Sequence, residues 1–382
     1  MQRIPQLDGL RGVAIGLVLL HHFIYQFHAP MAEPLATIVL SIANLGWSGV
    51  DLFFVLSGFL IGGILADARE SDMYYSTFYI RRAFRILPLY LFLIFVGFLF
   101  IKIGGNHVGT KEVVPLHTAP WIYYMTFTQN FYFARHADAI WFLQVTWSLA
   151  VEEQFYLILP LLVRRVNRDK LLAVVVGLVV FFGLLRSVLY WHGDINTMQC
   201  YVLPFCRFDS LFIGVACALL LRDHIWVSWL QNHPRLLQAA TALFGCSFFL
   251  MDHYLWGRNL LLHTAGFTVV GIFYACLMLS VLTQPHTLIS RALSLGPLIR
   301  LGIVSYCIYL IHGPVLIIVE QIVKPKLGLS VTEVWVVIGL SVAATLLLAQ
   351  GSWAIFESHL VALGHKFTYA RRNMFKPVKN AA

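Results

Sequence analysis

Residues 7–28 read LDGLRGVAIGLVLLHHFIYQFH, and the reading of this stretch decides the fold. About 20 predominantly apolar residues are enough for a helix to cross a hydrocarbon core about 30 Å thick. A secretory leader would need a basic head and a small-residue cleavage site. Here Asp8 and Arg11 stand at the start, His21 and His22 interrupt the run, and no such site follows. The stretch is therefore read as a mature spanning helix. Arg11 and His22 are eleven residues apart, close to three full turns, so both project from one face about 16 Å apart. Ionisable groups at membrane depth are costly and functional by default. The plainer readings are that Arg11 marks a membrane boundary beside Asp8 and that a neighbouring helix satisfies His22.

The rest of the chain repeats the pattern. Of 382 residues, 59% are hydrophobic and 12% charged, with mean hydropathy +0.77, whereas soluble chains are about 25% charged. Ten spans are expected, at 10–28, 46–66, 86–103, 141–163, 171–191, 203–221, 236–253, 260–282, 300–320 and 332–356. An even count puts both termini on one side. With the N-terminus inside, 19 of the 27 Lys and Arg fall in or beside inner segments, six in outer ones, and two, Arg186 and Arg207, within spans. That asymmetry follows the positive-inside rule. It also explains the net charge of +9 without nucleic acid, because the basic residues sit in short loops between spans. The fold expected is an all-α polytopic helical bundle of about 10 transmembrane helices with both termini cytoplasmic, a single domain over 1–360 and a basic tail over 361–382. The outer segment 104–140, rich in aromatic residues, suits a partly ordered lid or interfacial stretch.

The six cysteines lie mostly in apolar runs without metal-ligand spacing and read as small apolar fillers, with a Cys200–Cys206 bridge the lesser alternative. No metal and no permanently bound cofactor is expected. Walker A, dinucleotide, HExxH and GxSxG motifs are absent. Gly58 and Gly62 give the GxxxG spacing of close helix packing.

The ten-span topology puts Glu152 and His312 about halfway through the fourth and ninth spans, level with His22. A carboxylate beside an imidazole orients it for general-base work, so Glu152 is the candidate partner of His22. Ser148 and Tyr156 lie one turn either side of it. Arg82 and Arg85 share a helix face in the cluster Arg81, Arg82 and Arg85, where guanidinium forks match phosphate oxygens. The positive-inside rule alone would also produce that cluster. Asp51 and Asp209 could touch a polar acceptor or pair with Arg207.

These residues stand in longer strings that resemble acyltransferase family 3: LDGLRG (7–12) followed by His22, GVDLFFVLSGFLI (49–61), RRAFRILPLY (81–90), WSLAVEEQFY (147–156), RFD (207–209) and SYCIYLIHGP (305–314). Six strings in family order, spread from residue 5 to about 357, carry the resemblance. It implies transfer of an acyl group, commonly acetyl, from acyl-coenzyme A, specifically acetyl-CoA, on the cytoplasmic side to a hydroxyl of a carbohydrate or glycolipid. The family's arginine, ten residues, histidine pattern falls on Arg11 and His22, its Arg-x-x-Arg on Arg82 and Arg85, and its Ser-Leu-x-Val-Glu on Glu152. Many relatives read Glu-Arg-Pro or Glu-Lys-Pro where this chain has Glu357-Ser358-His359, a departure from the family.

The expectation is thus a multi-pass enzyme of the bacterial inner membrane. Arg11, Arg82 and Arg85 would bind the donor, and His22 and Glu152 would be catalytic. His312, Ser148, Tyr156, Asp51 and Arg207 are further candidates, with Ser148 and Tyr156 offered as oxyanion donors. The rival class is a proton-coupled exporter of a lipid-linked saccharide, which would also carry mid-membrane His and Glu.

Overall fold

The computed structural model describes residues 4–25, 35–104, 118–136, 141–254, 260–327 and 331–369. Among these residues every regular element is helical. The elements are α1 (Pro5–Leu20), continued by a π-turn (His21–Tyr25); α2 (Leu35–Asn44); α3 (Gly49–Asp67); α4 (Tyr74–Gly104); α5 (Trp121–Met125); α6 (Gln129–Phe133); α7 (Trp141–Gln144); α8 (Trp147–Arg165); α9 (Arg168–His192); α10 (Thr197–Val202); α11 (Phe208–Leu220); α12 (His224–Asn232); α13 (Pro234–Tyr254); α14 (Phe267–Thr283); α15 (Leu288–Leu293); α16 (Gly296–Ile303); α17 (Ser305–Leu327); α18 (Val331–Ser352), continued by a π-turn (Trp353–Glu357); and α19 (Ser358–His365).

Eight of the described helical stretches are long and apolar enough to span a bilayer, from Pro5–Tyr25 to Val334–His365. This is the pattern of a polytopic membrane protein. Two of the ten expected spans fall outside that set for separate reasons. The fourth is α8, whose nineteen residues include Glu152, Glu153, Arg164 and Arg165. The sixth is α11, only thirteen residues long, after which the chain turns by 96° into α12. The boundary expected at residue 360 lies inside α19, and the segment after it stays attached to the bundle. Arg81 Nε donates to the Phe367 carbonyl at 2.7 Å, and Thr77 Oγ1 to that of Thr368 at 3.2 Å. Residues 370–382, most of the expected tail, lie outside the described residues, as do 105–117 and 137–140 of the expected lid. The part of that segment that is described folds onto α8: Gln129 and Asn130 are buried, and Gln154 Nε2 donates to the Phe127 carbonyl at 2.7 Å.

Glycines set the closest helix contacts, as small residues do where helices meet in lipid. A Cβ on Gly58 of α3 would overlap the Leu211 carbonyl of α11, and one on Gly214 would overlap that of Val55. The spacing read as a packing signal is a packing surface. Gly58→Val should therefore destabilise the bundle by about 3 kcal/mol, seen as a lowered thermal unfolding midpoint in detergent. The glycines of the LDGLRG string do the same at another seam. Cβ atoms on Gly9 and Gly12 would strike the carbonyls of Leu293 and Leu298, and one on Gly302 that of Asp8. α1 is thereby seated against α15 and α16 along its first turns, which fixes where Arg11 and His22 point.

Candidate active site

α1 carries Arg11 in its second turn and passes into the π-turn at His21. A π-turn inserts one extra residue into a helix and recurs at functional sites. Here it holds two adjacent histidines that take different partners. His21 donates through Nδ1 to the Asn44 carbonyl at 3.2 Å, while His22 donates through Nδ1 to the Val18 carbonyl at 3.0 Å. A carbonyl can only accept, so Nδ1 of each ring carries the proton and Nε2 is the basic nitrogen.

Both histidines line a cavity of about 520 Å³ between α1, α3, α7, α8, α10, α14 and α17. Trp47, Trp147, Tyr201, Phe267 and Tyr309 supply its aromatic surface, and Gln144, Thr197 and His263 supply polar groups. None of its lining residues is Asp, Glu, Lys or Arg. Asp252 fixes one wall, accepting from Trp47 Nε1 at 2.9 Å and from Asn44 Nδ2 at 2.8 Å.

The three arginines gather at the other end of α1. Arg82 lies over the ring of Tyr156, 4.5 Å from its centroid. Arg11, Arg82 and Arg85 are within electrostatic range of one another and of Glu152. Both Glu152 oxygens accept hydrogen bonds, one from Ser57 at 2.7 Å and one from Tyr156 at 3.2 Å. Glu152, expected beside His22, is therefore built into the arginine cluster. Tyr156, expected near the reacting carbonyl, points its hydroxyl at Glu152. Glu152 thus sits nearer the Arg11 end of α1 than the His22 end, because the rotation and offset of α8 against α3 and α4, which a helix wheel does not give, decide what its carboxylate meets. Glu357 joins the same group from the second π-turn: it is buried, accepts from Ser352 Oγ at 2.7 Å and lies within range of Arg85. Despite the departure that follows it in the sequence, this residue reaches the site.

His312 is fully buried, and its ring centroid is 4.8 Å from that of His22. Ser148 is engaged with Tyr309, the two hydroxyls 2.7 Å apart, and Tyr309 donates to the Val145 carbonyl at 2.9 Å. Sequence reasoning passed over Tyr309, although it stands three residues before His312 in the SYCIYLIHGP string and so shares its helix face. Asp51 and Arg207 do not line the cavity. Arg207 Nη2 donates to Asp51 Oδ1 at 2.7 Å, with both side chains wholly buried. The Arg207 guanidinium lies 3.9 Å from the centroid of Phe267 and within 6 Å of those of Trp147 and Tyr201, three of the cavity's walls. A second buried pair, Arg186 with Asp209 at 2.8 Å, stands beside it. The described cysteines are free, Cys200 and Cys206 included.

A cluster of arginines at one end of a helix and a histidine facing a cavity at the other suits a reaction joining two substrates. A family model described as an acyltransferase domain matches residues 4–350. The chain belongs to acyltransferase family 3. It is 29% identical to a putative peptidoglycan O-acetyltransferase, YrhL, of Bacillus subtilis, over 98% of this chain and 57% of that protein. It is 28% identical to the peptidoglycan O-acetyltransferase OatA of Listeria monocytogenes, over 93% of this chain and 55% of that one. Identity to the O-acetyltransferase OatA of Staphylococcus aureus is 26%, over 95% and 58%. The acyltransferase chain thus spans a little over half the length of these relatives. No solved structure matches it significantly.

Proposed function

We propose that this acyltransferase moves an acetyl group from cytoplasmic acetyl-CoA to a hydroxyl of a cell-wall carbohydrate, with His22 as general base. One observation supports this most strongly: α1 runs from the arginine cluster to the charge-free cavity, with His22 opening onto that cavity. The arginine end suits the phosphates of a nucleotide thioester, since guanidinium groups bind phosphate through charge-assisted hydrogen bonds. The cavity suits an uncharged sugar ring, which stacks on aromatic faces. The names of the relatives add the reaction and the acceptor class.

In this reading Nε2 of His22 takes the proton of the acceptor hydroxyl as its oxygen attacks the thioester carbonyl. The C–O bond forms, the C–S bond breaks and its electron pair leaves on sulfur. The proton then passes from His22 to the thiolate. Glu152 and Glu357 balance the arginine charge and hold the guanidinium groups in place for the donor. The positive-inside bias supports placing the arginine end and both termini in the cytoplasm, with the cavity towards the outer face of a bacterial inner membrane and residues 361–382 as a basic extension.

The test is an assay of purified protein with labelled acetyl-CoA and peptidoglycan fragments, where label should appear in a base-labile ester. Arg82→Gln and Arg85→Gln should each raise KM for acetyl-CoA about tenfold, the loss of one charge-assisted contact, with a smaller change in kcat. Absence of label from the wild-type reaction, or an unchanged donor KM in both variants, would count against the assignment.

A further inference from the structure

Glu152 is committed to the arginines, which leaves open what supports the charge that forms on His22. The residue placed for that task is on α17. His312 Nδ1 is held by two main-chain carbonyls of its own helix, Tyr309 at 2.7 Å and Ile308 at 3.1 Å. Both are acceptors, so Nδ1 carries the proton and Nε2 carries a lone pair. Because Nδ1 is turned back onto α17, the ring edge bearing Nε2 points away from that helix. Nε2 is buried and has no hydrogen-bond partner. Such a group costs about 1–3 kcal/mol unless a partner arrives, so its persistence calls for a physical explanation.

The surroundings narrow what that partner can be. From the π-turn of α1, His22 and Phe23 face the His312 ring, at 4.8 and 6.1 Å between centroids. From its own helix Tyr309 lies at 6.0 Å. α18 packs along α17 and contributes buried Ser341 and Thr345, which are uncharged. Among the described residues the titratable rings against it are His22 and Tyr309, His21 stands 5.4 Å from His22, and of these His22 is the one that takes a proton in the proposed reaction.

We propose that His312 is the positioning partner of His22: its Nε2 lone pair is turned towards the imidazolium that forms as His22 takes the acceptor proton, and stabilises that cation until the thiolate removes the proton. His312 exchanges no atoms with the substrates. It acts through the direction of its dipole, fixed in advance by the two carbonyls, as preorganised groups do where charge develops. This role rests on the general-base reading of His22.

The experiment measures initial rates of acetyl transfer from labelled acetyl-CoA to peptidoglycan fragments between about pH 5.5 and about pH 9, the range over which histidine changes charge. Four full-length proteins are compared: wild type, His312→Phe, His312→Gln and His22→Ala. His312→Phe keeps the ring volume and removes the lone pair. It should lower kcat about 30-fold, leave KM for acetyl-CoA within about twofold, and move the acidic limb of the profile to lower pH, because an unsupported imidazolium loses its proton more readily. His312→Gln offers an amide oxygen near the position of Nε2 and should recover most of the rate and the wild-type limb. The proposal is overturned if His312→Phe stays within threefold of wild type with an unmoved limb. It is equally overturned if both variants lose activity alike with no shift of the limb, the pattern of a packing role. Should His22→Ala retain wild-type transfer, the reading of His22 itself fails, an outcome distinct from either.

Discussion

Protein carrying His22→Ala should lose acetyl transfer by about 10³-fold or more in kcat, in keeping with removal of a positioned general base, while binding acetyl-CoA as tightly as the wild type. The split follows from the architecture. His22 faces the cavity, and the groups suited to phosphate, Arg11, Arg82 and Arg85, are gathered at the opposite end of α1. Equilibrium binding of acetyl-CoA, followed by calorimetry on the variant in detergent, separates the two functions. His21→Ala is the companion measurement. Its ring lines the same cavity but is tied to the Asn44 carbonyl, so its loss should weaken acceptor use by less than about tenfold, the cost of one neutral hydrogen bond. Equal losses in the two variants would remove the distinction that the π-turn draws between them.

The second large effect concerns the ion pair behind the cavity. Asp51→Ala should lower the stability of the bundle by about 3–5 kcal/mol, because it strands the guanidinium of Arg207 in a fully buried setting. Arg207 Nε and Nη1 already lack partners, and Asp51 supplies the carboxylate at Nη2. Asp51→Ala combined with Arg207→Met should recover much of the loss, since exchanging both members of a buried pair for apolar groups is far less costly than breaking it. Thermal unfolding of the wild type and the two variants in one detergent decides the matter. A single variant as stable as wild type would mean that Arg207 finds another counter-charge. Activity should fall with stability, because Arg207 underlies Phe267, Trp147 and Tyr201, whose faces form the cavity wall.

What the sequence conveyed and what it withheld divide along physical lines. Apolar runs announce helices because each span must be apolar in lipid, and all ten expected stretches contain helix. The two that depart did so through quantities that hydropathy smooths over. α8 carries four charges, Glu152 and Glu153 in its first half and Arg164 and Arg165 in its last turn, and α11 stops after thirteen residues because the chain bends. The site was legible as a set of residue types. Arg11, Arg82 and Arg85 do come together, and His22 and His312 do meet. The pairing of Glu152 was not legible, since a helix wheel gives a side chain's azimuth only relative to its own axis. The partner it meets depends on how α8, α3 and α4 are rotated against one another. Ser57, which holds Glu152 at 2.7 Å, has no feature in the sequence that separates it from a packing serine. Tyr309 was within reach, three residues from a histidine already singled out, but the partner that a buried tyrosine hydroxyl finds lies on another helix and leaves no mark in the sequence.

The glycine seam between α1 and its neighbours α15 and α16 bears on how turnover proceeds. With backbone against backbone at Gly9, Gly12 and Gly302, the first helix has no layer of side chains to slide on. In the proposed reaction it would work as a gauge of fixed length, with the arginines that grip the donor's phosphates at one mark and His22 at another. On that reading donor molecules would be sorted by whether their reach fits that interval, and whatever moves to admit the acceptor or release the spent thiol would have to be a different part of the bundle.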